Sequence, residues 1–428
     1  MKILTSAYAC DPTRGGEEGF GFNWAWQTAR QGHFVRCLTQ PVGRPNIEAY
    51  LADHVHDSTT SRLQFEYVAV PKWVDFLARW QFGIYLHYLV WQYLAWRTAK
   101  RLEQRTPFDL VHHATYGSLQ MASRLWQLGK PMIFGPVGGG QQAPKAFRAY
   151  LPNWYKTEIP RTFMSWLLVT FDANVRQNLQ QASVVLTTNQ ETATLAKNLG
   201  AQRVELFLDS GLPEAFIPDQ FPERQPAAEL RLLWLGRLIS RKALPVVLAA
   251  LAQVDPRVRF RLTVVGDGPM MPLLPGLIQQ YGLEGRVTCL GTLPWSEVRH
   301  AYLTHDAFFF TSLRDSFAAQ FLEAMATGLP IITLNHQGAR DFIPAAAGLK
   351  VPVTTPEETI AALARAVEHF YDHPAARESM GRAGYAFALT QTWPKRVNRL
   401  LQLAAEIVPA PAPIPTPRPQ PTSYPVPG

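Results

Sequence analysis

Thr311-Ser-Leu-Arg-Asp-Ser-Phe-Ala-Ala-Gln-Phe-Leu-Glu-Ala-Met-Ala-Thr-Gly-Leu-Pro330 lies between two short apolar runs, Ala307–Phe310 and Ile331–Leu334. The runs read as strands buried on both faces, and the stretch between them as a helix. Ser316 is a good N-cap for that helix, Gly328 a C′ stop, and Pro330 lies just beyond. Strand, helix and strand in this order form a unit of parallel α/β sheet.

The same alternation extends along the chain. Upstream, strands are expected at Lys2–Ala7, Phe34–Thr39, Leu63–Val70, Leu110–His113, Pro131–Phe134, Val184–Thr188 and Val204–Leu208. In the second half they are expected at Arg231–Leu235, Arg259–Val265, Val287–Leu290, Ala307–Phe310, Ile331–Leu334 and Lys350–Val353. Between the sets, Gly211–Glu229 carries Pro213, Pro218, Pro222 and Pro226 and reads as a linker. The fold class is α/β: two doubly wound, Rossmann-like domains, residues 1–210 and 230–391, facing each other across a cleft. A ligand is expected where the C-terminal ends of the two sheets meet.

The chain has 428 residues, 47% hydrophobic and 17% charged, with a net charge of +8. That composition is globular and long enough for two or three domains. The positive excess suits anionic partners such as nucleotide phosphates or lipid head groups. With no run of five Lys/Arg and no zinc-finger spacing, no nucleic-acid partner is expected. Cys10, Cys37 and Cys289 are far apart, which predicts neither a disulfide framework nor a structural zinc, and a reducing compartment. The apolar start is short and meets Asp11, Arg14, Glu17 and Glu18 at once, so it reads as a first strand and the location as cytoplasmic. The last 21 residues, 408–428, hold nine prolines and predict an extended, disordered tail.

Several strand ends carry chemistry. Asp315-Ser316-Phe317 opens the helix of the first quoted stretch, at the positive end of its dipole. Glu323 follows two turns later near the same face, so the two carboxylates can hold two sets of hydroxyls; an N-cap acid and a surface Glu account for them equally well. Gly236-Arg237-Leu-Ile-Ser-Arg-Lys242 follows a strand and puts two cations beside free helix N–H groups, a setting for a diphosphate. Gly266, in Val-Gly-Asp-Gly-Pro, allows close backbone approach. In the first half, Gly15 and Gly16 can offer N–H groups to phosphate or sugar oxygens. Gly138, Gly139 and Gly140 end a glycine-rich turn, and His112 and His113 end a strand facing the cleft.

Together these motifs resemble family-4 glycosyltransferases, retaining nucleotide-sugar-dependent enzymes of the GT-B fold, over nearly all of residues 1–406. Gly236-Arg237-Leu…Lys242 is similar to the family's diphosphate clamp, Val265-Gly-Asp-Gly-Pro269 to its glycine turn, and Asp315…Glu323 to its E-x7-E signature. The resemblance implies that Arg237 and Lys242 neutralise a leaving diphosphate and that Glu323 holds ribose hydroxyls. Asp315, with Ser316 and Phe317, would contact the donor sugar. Gly15, Gly16, Gly236 and Gly266 would line the donor, Gly138–Gly140 the acceptor, and His112 or His113 would sit beside the anomeric carbon. It also implies a helix over 392–407 that crosses back to the first domain, and no cofactor or metal; no D-x-D dyad is present. Asp315 stands where the family has Glu and is shorter by ~1.5 Å. Ala318 and Ala243 stand where it often has Gly.

The implied reaction is sugar transfer to a glycan or lipid-linked acceptor in surface polysaccharide or glycolipid assembly. An epimerase or phosphorylase on the same fold, or a scaffold that has lost catalysis, are the alternatives. One segment, 72–105, adds a possible partner. It holds Trp73, Phe76, Trp80, Phe82, Tyr85, Tyr88, Trp91, Tyr93 and Trp96, with Lys72, Arg79, Arg97, Lys100, Arg101 and Arg105. Its uncharged stretch is under the ~20 residues needed to span a bilayer, so it fits either an anionic membrane surface, peripherally, or a core-facing helix. The apolar run Phe163–Phe171 could contribute.

Overall fold

The apolar runs pair as the strands of two parallel sheets. The computed structural model describes residues 1–77, 80, 83–224 and 227–409. Arg79 and Phe82 of the aromatic segment, Pro226 of the linker, and the tail from residue 410 lie outside the described residues. The first sheet contains β1 (Lys2–Ala7), β2 (Phe34–Thr39), β3 (Leu63–Tyr67), β4 (Leu110–Thr115), β5 (Met132–Val137), β6 (Val184–Thr187) and β7 (Val204–Leu206), in the order β3-β2-β1-β4-β5-β6-β7. The second contains β8 (Leu230–Leu235), β9 (Phe260–Val265), β10 (Val287–Gly291), β11 (Ala307–Phe309), β12 (Ile331–Leu334) and β13 (Gly348–Val351), in the order β10-β9-β8-β11-β12-β13. Both reverse strand order once, between β1 and β4 and between β8 and β11. Those are the topological switch points at which such sheets bind ligands.

Each sheet is buried on both faces, as its near-continuous apolar strands require. In the second unit Leu232, Leu233, Trp234, Phe308, Phe309 and Ile331 form the core with the helix Leu244–Leu251. The C-terminal helix Trp393–Ile407 packs on the first sheet: Trp393, Val397, Leu400 and Ala404 join Ile3, Trp24 and Leu110. The Trp24 and Trp393 rings meet edge to face at 5.2 Å.

Some local expectations shift. β13 starts at Gly348, two residues early, and ends before Pro352, which has no N–H to give a ladder. The helix expected from Ser316 begins at Ala319, and Ser316 does not cap it. Segment 72–105 forms two helices, Lys72–Leu77 and Gly83–Arg105. Tyr88 and Trp91 of the longer helix are fully buried in the first unit's core, so that helix faces inward with them. Among the described residues no helix is long and apolar enough to cross a membrane.

Candidate active site

The loops after β8 and β11 meet. Lys242 is buried, and its ammonium pairs with Asp315 Oδ2 while lying over the Phe310 ring. Arg241 reaches Asp315 Oδ1 at 3.2 Å and donates to the Arg314 carbonyl at 2.9 Å. Burial alone would raise the Asp315 carboxyl; Lys242 and Arg241 overcome it and hold the group well below the usual carboxylate range. Arg237 is exposed, with no side-chain partner among the described residues. Ala243 has φ 50° and ψ 41°, the left-handed region, which costs an L-residue about 1–2 kcal/mol. Gly suits this position for that reason. Ala318, at φ −84° and ψ 119°, is in an extended conformation any residue adopts.

Glu323 lies on the helix Ala319–Ala326 and accepts a 2.7 Å hydrogen bond from the Tyr302 hydroxyl. Burial pushes its carboxyl upward. Phe317 is buried beside Ala318, Phe321, His336 and Gln337, around a small cavity that also touches Asp315. Gly236 and Gly266 end β8 and β9. A Cβ on Gly266, at φ +126°, would collide with the Gly236 carbonyl, so the two backbones pass in close contact there.

Across from these loops stands the first unit's glycine turn. Its N–H groups are already used: Gly138 donates to Gly117 O, Gly139 to Gln141 Oε1 and Gly140 to Thr192 Oγ1. What the turn provides is close approach, because a Cβ on Gly138 would occupy the position of Ser316 Oγ. Gln141 Nε2 donates to Ser316 Oγ at 3.1 Å, which takes Ser316 away from the helix N-terminus. Gln337 accepts from Asp315 N at 2.9 Å and donates to Gln142 O at 2.8 Å. Two ion pairs flank this seam, Arg314 with Glu158 and Arg340 with Glu191.

Gly15 and Gly16 are exposed before the helix Glu17–Arg30, and Gly16 takes φ 68°. Glu17 accepts from Gly117 N at 3.3 Å and leaves its other oxygen enclosed and unpartnered. Burial, with Asp209 and Glu18 nearby, pushes its carboxyl up to about 8. Asp209, on the chain crossing between the units, is pushed up to about 7 by burial and by Asp315 across the cleft.

The histidines do not join this group. His112 is enclosed on one face of β4, donating Nε2–H to Gly135 O at 3.0 Å with its ring against Trp24. His113 is enclosed on the other face, against Phe134. Burial lowers both to about 4, so both are neutral at physiological pH. The structure therefore brings together Lys242, Asp315, Ser316 and Gly138, places Arg237, Glu323, Gly15 and Gly16 on neighbouring loops and helices, and keeps both imidazoles inside the first unit. Tyr302, Arg241, Gln141, Gln337, Glu17 and Asp209 escaped the sequence reading. Only Arg241, beside Lys242, and Glu17, after Gly16, had a local signal.

Two facing doubly wound units with ligand loops at both switch points make the GT-B fold of glycosyltransferases. Residues 217–387 match the family of glycosyl transferases group 1. The chain is 31% identical over 131 residues to the putative colanic acid biosynthesis glycosyltransferase WcaL of Escherichia coli, covering 29% of this chain and 32% of that protein. It is 27% identical over 160 residues to the phosphatidylinositol N-acetylglucosaminyltransferase gpi3 subunit of Schizosaccharomyces pombe, covering 37% and 34%. The matches thus span about a third of these relatives' length. Among solved structures, sucrose-phosphate synthase of Thermosynechococcus elongatus matches with a TM-score of 0.65 at 19% identity, covering 95% of this chain and 98% of that one. Anabaena Alr3699/HepE, in complex with UDP and glucose, matches with 0.61 at 17%, covering 95% and 100%.

Proposed function

We propose that this chain is a family-4-type glycosyltransferase, retaining and metal-independent. It would move a sugar from a nucleoside-diphosphate sugar to a glycan or lipid-linked acceptor in surface polysaccharide or glycolipid assembly. The observation that carries the reading is the buried cluster of Lys242 and Arg241 on Asp315, where the loops after β8 and β11 meet at the switch point of the second sheet, with Arg237 exposed on the same loop after β8. A departing diphosphate develops negative charge, and preorganised cations stabilise it without reorganising.

In this reading Arg237 and Lys242 hold the diphosphate, and Lys242 exchanges part of its contact with Asp315 for a phosphate oxygen. Glu323, oriented by Tyr302, takes the ribose hydroxyls. Asp315, Ser316 and Phe317 face the donor sugar, and Gly15 and Gly16 admit the phosphates closely. Gly138–Gly140 shape the acceptor side. His112 and His113 act from within the first unit, as neutral groups that fix β4 and the β5 turn. The bond from anomeric carbon to phosphate oxygen breaks, and the new bond to the acceptor oxygen forms on the same face. The acceptor proton passes to the departing phosphate. Closure of the two units excludes water from the donor. A cytoplasmic enzyme held peripherally at a membrane would meet a lipid-linked acceptor directly.

Lys242→Ala tests the clamp. Turnover of the cognate donor should fall at least about 100-fold, the scale of losing one preorganised charge donor, with the circular-dichroism spectrum unchanged. Near-normal turnover would contradict the clamp.

A further inference from the structure

The helix Trp154–Phe171 is inside out. Tyr155, Ile159, Phe163 and Trp166 follow the i, i+4, i+8, i+11 spacing of one helical stripe, and all four are exposed, Tyr155 by 71%, Phe163 by 58% and Trp166 by 55%. The opposite stripe, Glu158, Arg161 and Ser165, faces the protein. Glu158 pairs with Arg314, Arg161 donates to Gln141 O, and Ser165 accepts from Gln120 Nε2 at 2.7 Å. A surface helix in water turns its apolar stripe inward and its polar stripe outward; this one does the reverse, and Glu158 is its only buried residue.

We propose that the outward stripe of Trp154–Phe171 lies in the plane of an anionic lipid bilayer and docks the first unit there. Charge favours this occupant. Lys145, Arg148, Lys156 and Arg176 are exposed along the same stretch, while its acids are turned to other work: Glu158 is paired inward and Asp172 caps the following helix. Cations beside exposed Trp and Tyr suit the headgroup layer. The same unit exposes a second aromatic segment. Trp73, Phe76 and Trp80 are exposed, Trp80 by 69%, ahead of the helix Gly83–Arg105. The membrane face therefore rests on Trp154–Phe171 with Trp73, Phe76 and Trp80, while Tyr88 and Trp91 of the helix Gly83–Arg105 are core. Glu158 and Arg314 link this helix directly to Asp315, so a docked helix sets the cleft at a fixed height above the lipid. The proposal deepens the lipid-linked-acceptor reading.

The test is flotation of the full chain with vesicles of phosphatidylcholine alone or mixed with phosphatidylglycerol, at low salt. The protein should float with the anionic vesicles, and the double variant Phe163→Glu, Trp166→Glu should lose at least about tenfold in partitioning. The variant's thermal stabilisation by a nucleoside diphosphate should be unchanged. Brominated lipid should quench the wild-type tryptophans, a readout needing no variant. No flotation of the wild type, or equal flotation of the variant, overturns the proposal. A lipid-free dimer that the variant disperses assigns the stripe to a second copy and also overturns it. A protein that floats but binds no nucleotide keeps this surface and removes the transferase reading instead.

Discussion

Arg314 and Glu158 join the two α/β units by a pair of parallel hydrogen bonds, Nε to Oε2 at 2.8 Å and Nη2 to Oε1 at 3.0 Å. Both side chains are largely shielded, 16% and 7% exposed. Arg314 precedes Asp315, so the pair ties the helix Trp154–Phe171 to the loop that holds Lys242. Removing one partner of such a pair leaves the other charge enclosed. Glu158→Ala should cost about 2–5 kcal/mol, read by denaturant unfolding, and raise the donor KM more than it lowers kcat. The double variant with Arg314→Ala should recover part of that loss. Additive losses would show that the two residues do not act as a pair.

Glu17 makes stability pH-dependent. Its carboxyl is raised by burial from 4.5 to about 8, so the native state binds a proton that the unfolded chain has released between those values. Its contribution is fully present below 4.5 and lost as the pH rises through about 8. Asp209, raised to about 7, slopes the same way. The Tm should therefore fall as pH rises across this window, and Glu17→Gln should flatten the fall. A Tm profile unchanged by the substitution would place the Glu17 carboxyl in a solvated setting.

Tyr302 is fully buried, and its hydroxyl serves Glu323. Tyr302→Phe keeps the ring and removes the donor, which should cost about 1–2 kcal/mol of stability. Nucleotide binding measured by calorimetry should weaken several-fold, because the carboxylate is no longer aimed. Full nucleotide affinity in the folded variant would free Glu323 from the ribose role.

The fold was legible because a strand buried on both faces writes itself as a continuous apolar run. β1, β2 and β12 fall on the expected residues, and every expected strand is found near its place. What was not legible depends on partners far away in the chain. Ser316 has the chemistry of an N-cap, yet Gln141, 175 residues earlier, takes its hydroxyl and the helix begins at Ala319. His112 and His113 read as the end of a strand at the cleft, but β4 runs on to Thr115 and alternation sends their rings to opposite faces inside the first unit. Tyr302 has no local pattern that points to Glu323. Of the helix Trp154–Phe171 only the apolar run Phe163–Phe171 stood out in the sequence; which side faces in is set by distant partners, Arg314 for Glu158, Gln141 for Arg161 and Gln120 for Ser165.

The central claim is that the cleft binds a nucleoside-diphosphate sugar through the second unit's cations. Its most direct test is a thermal-shift series of the full chain against UDP, GDP, ADP, dTDP and their sugars, with EDTA present, beside Lys242→Ala. A ligand that binds only the folded state must raise the Tm. One nucleotide should raise it in the wild type despite EDTA, and much less in Lys242→Ala. No shift from any nucleotide, or an equal shift in the variant, would contradict the account.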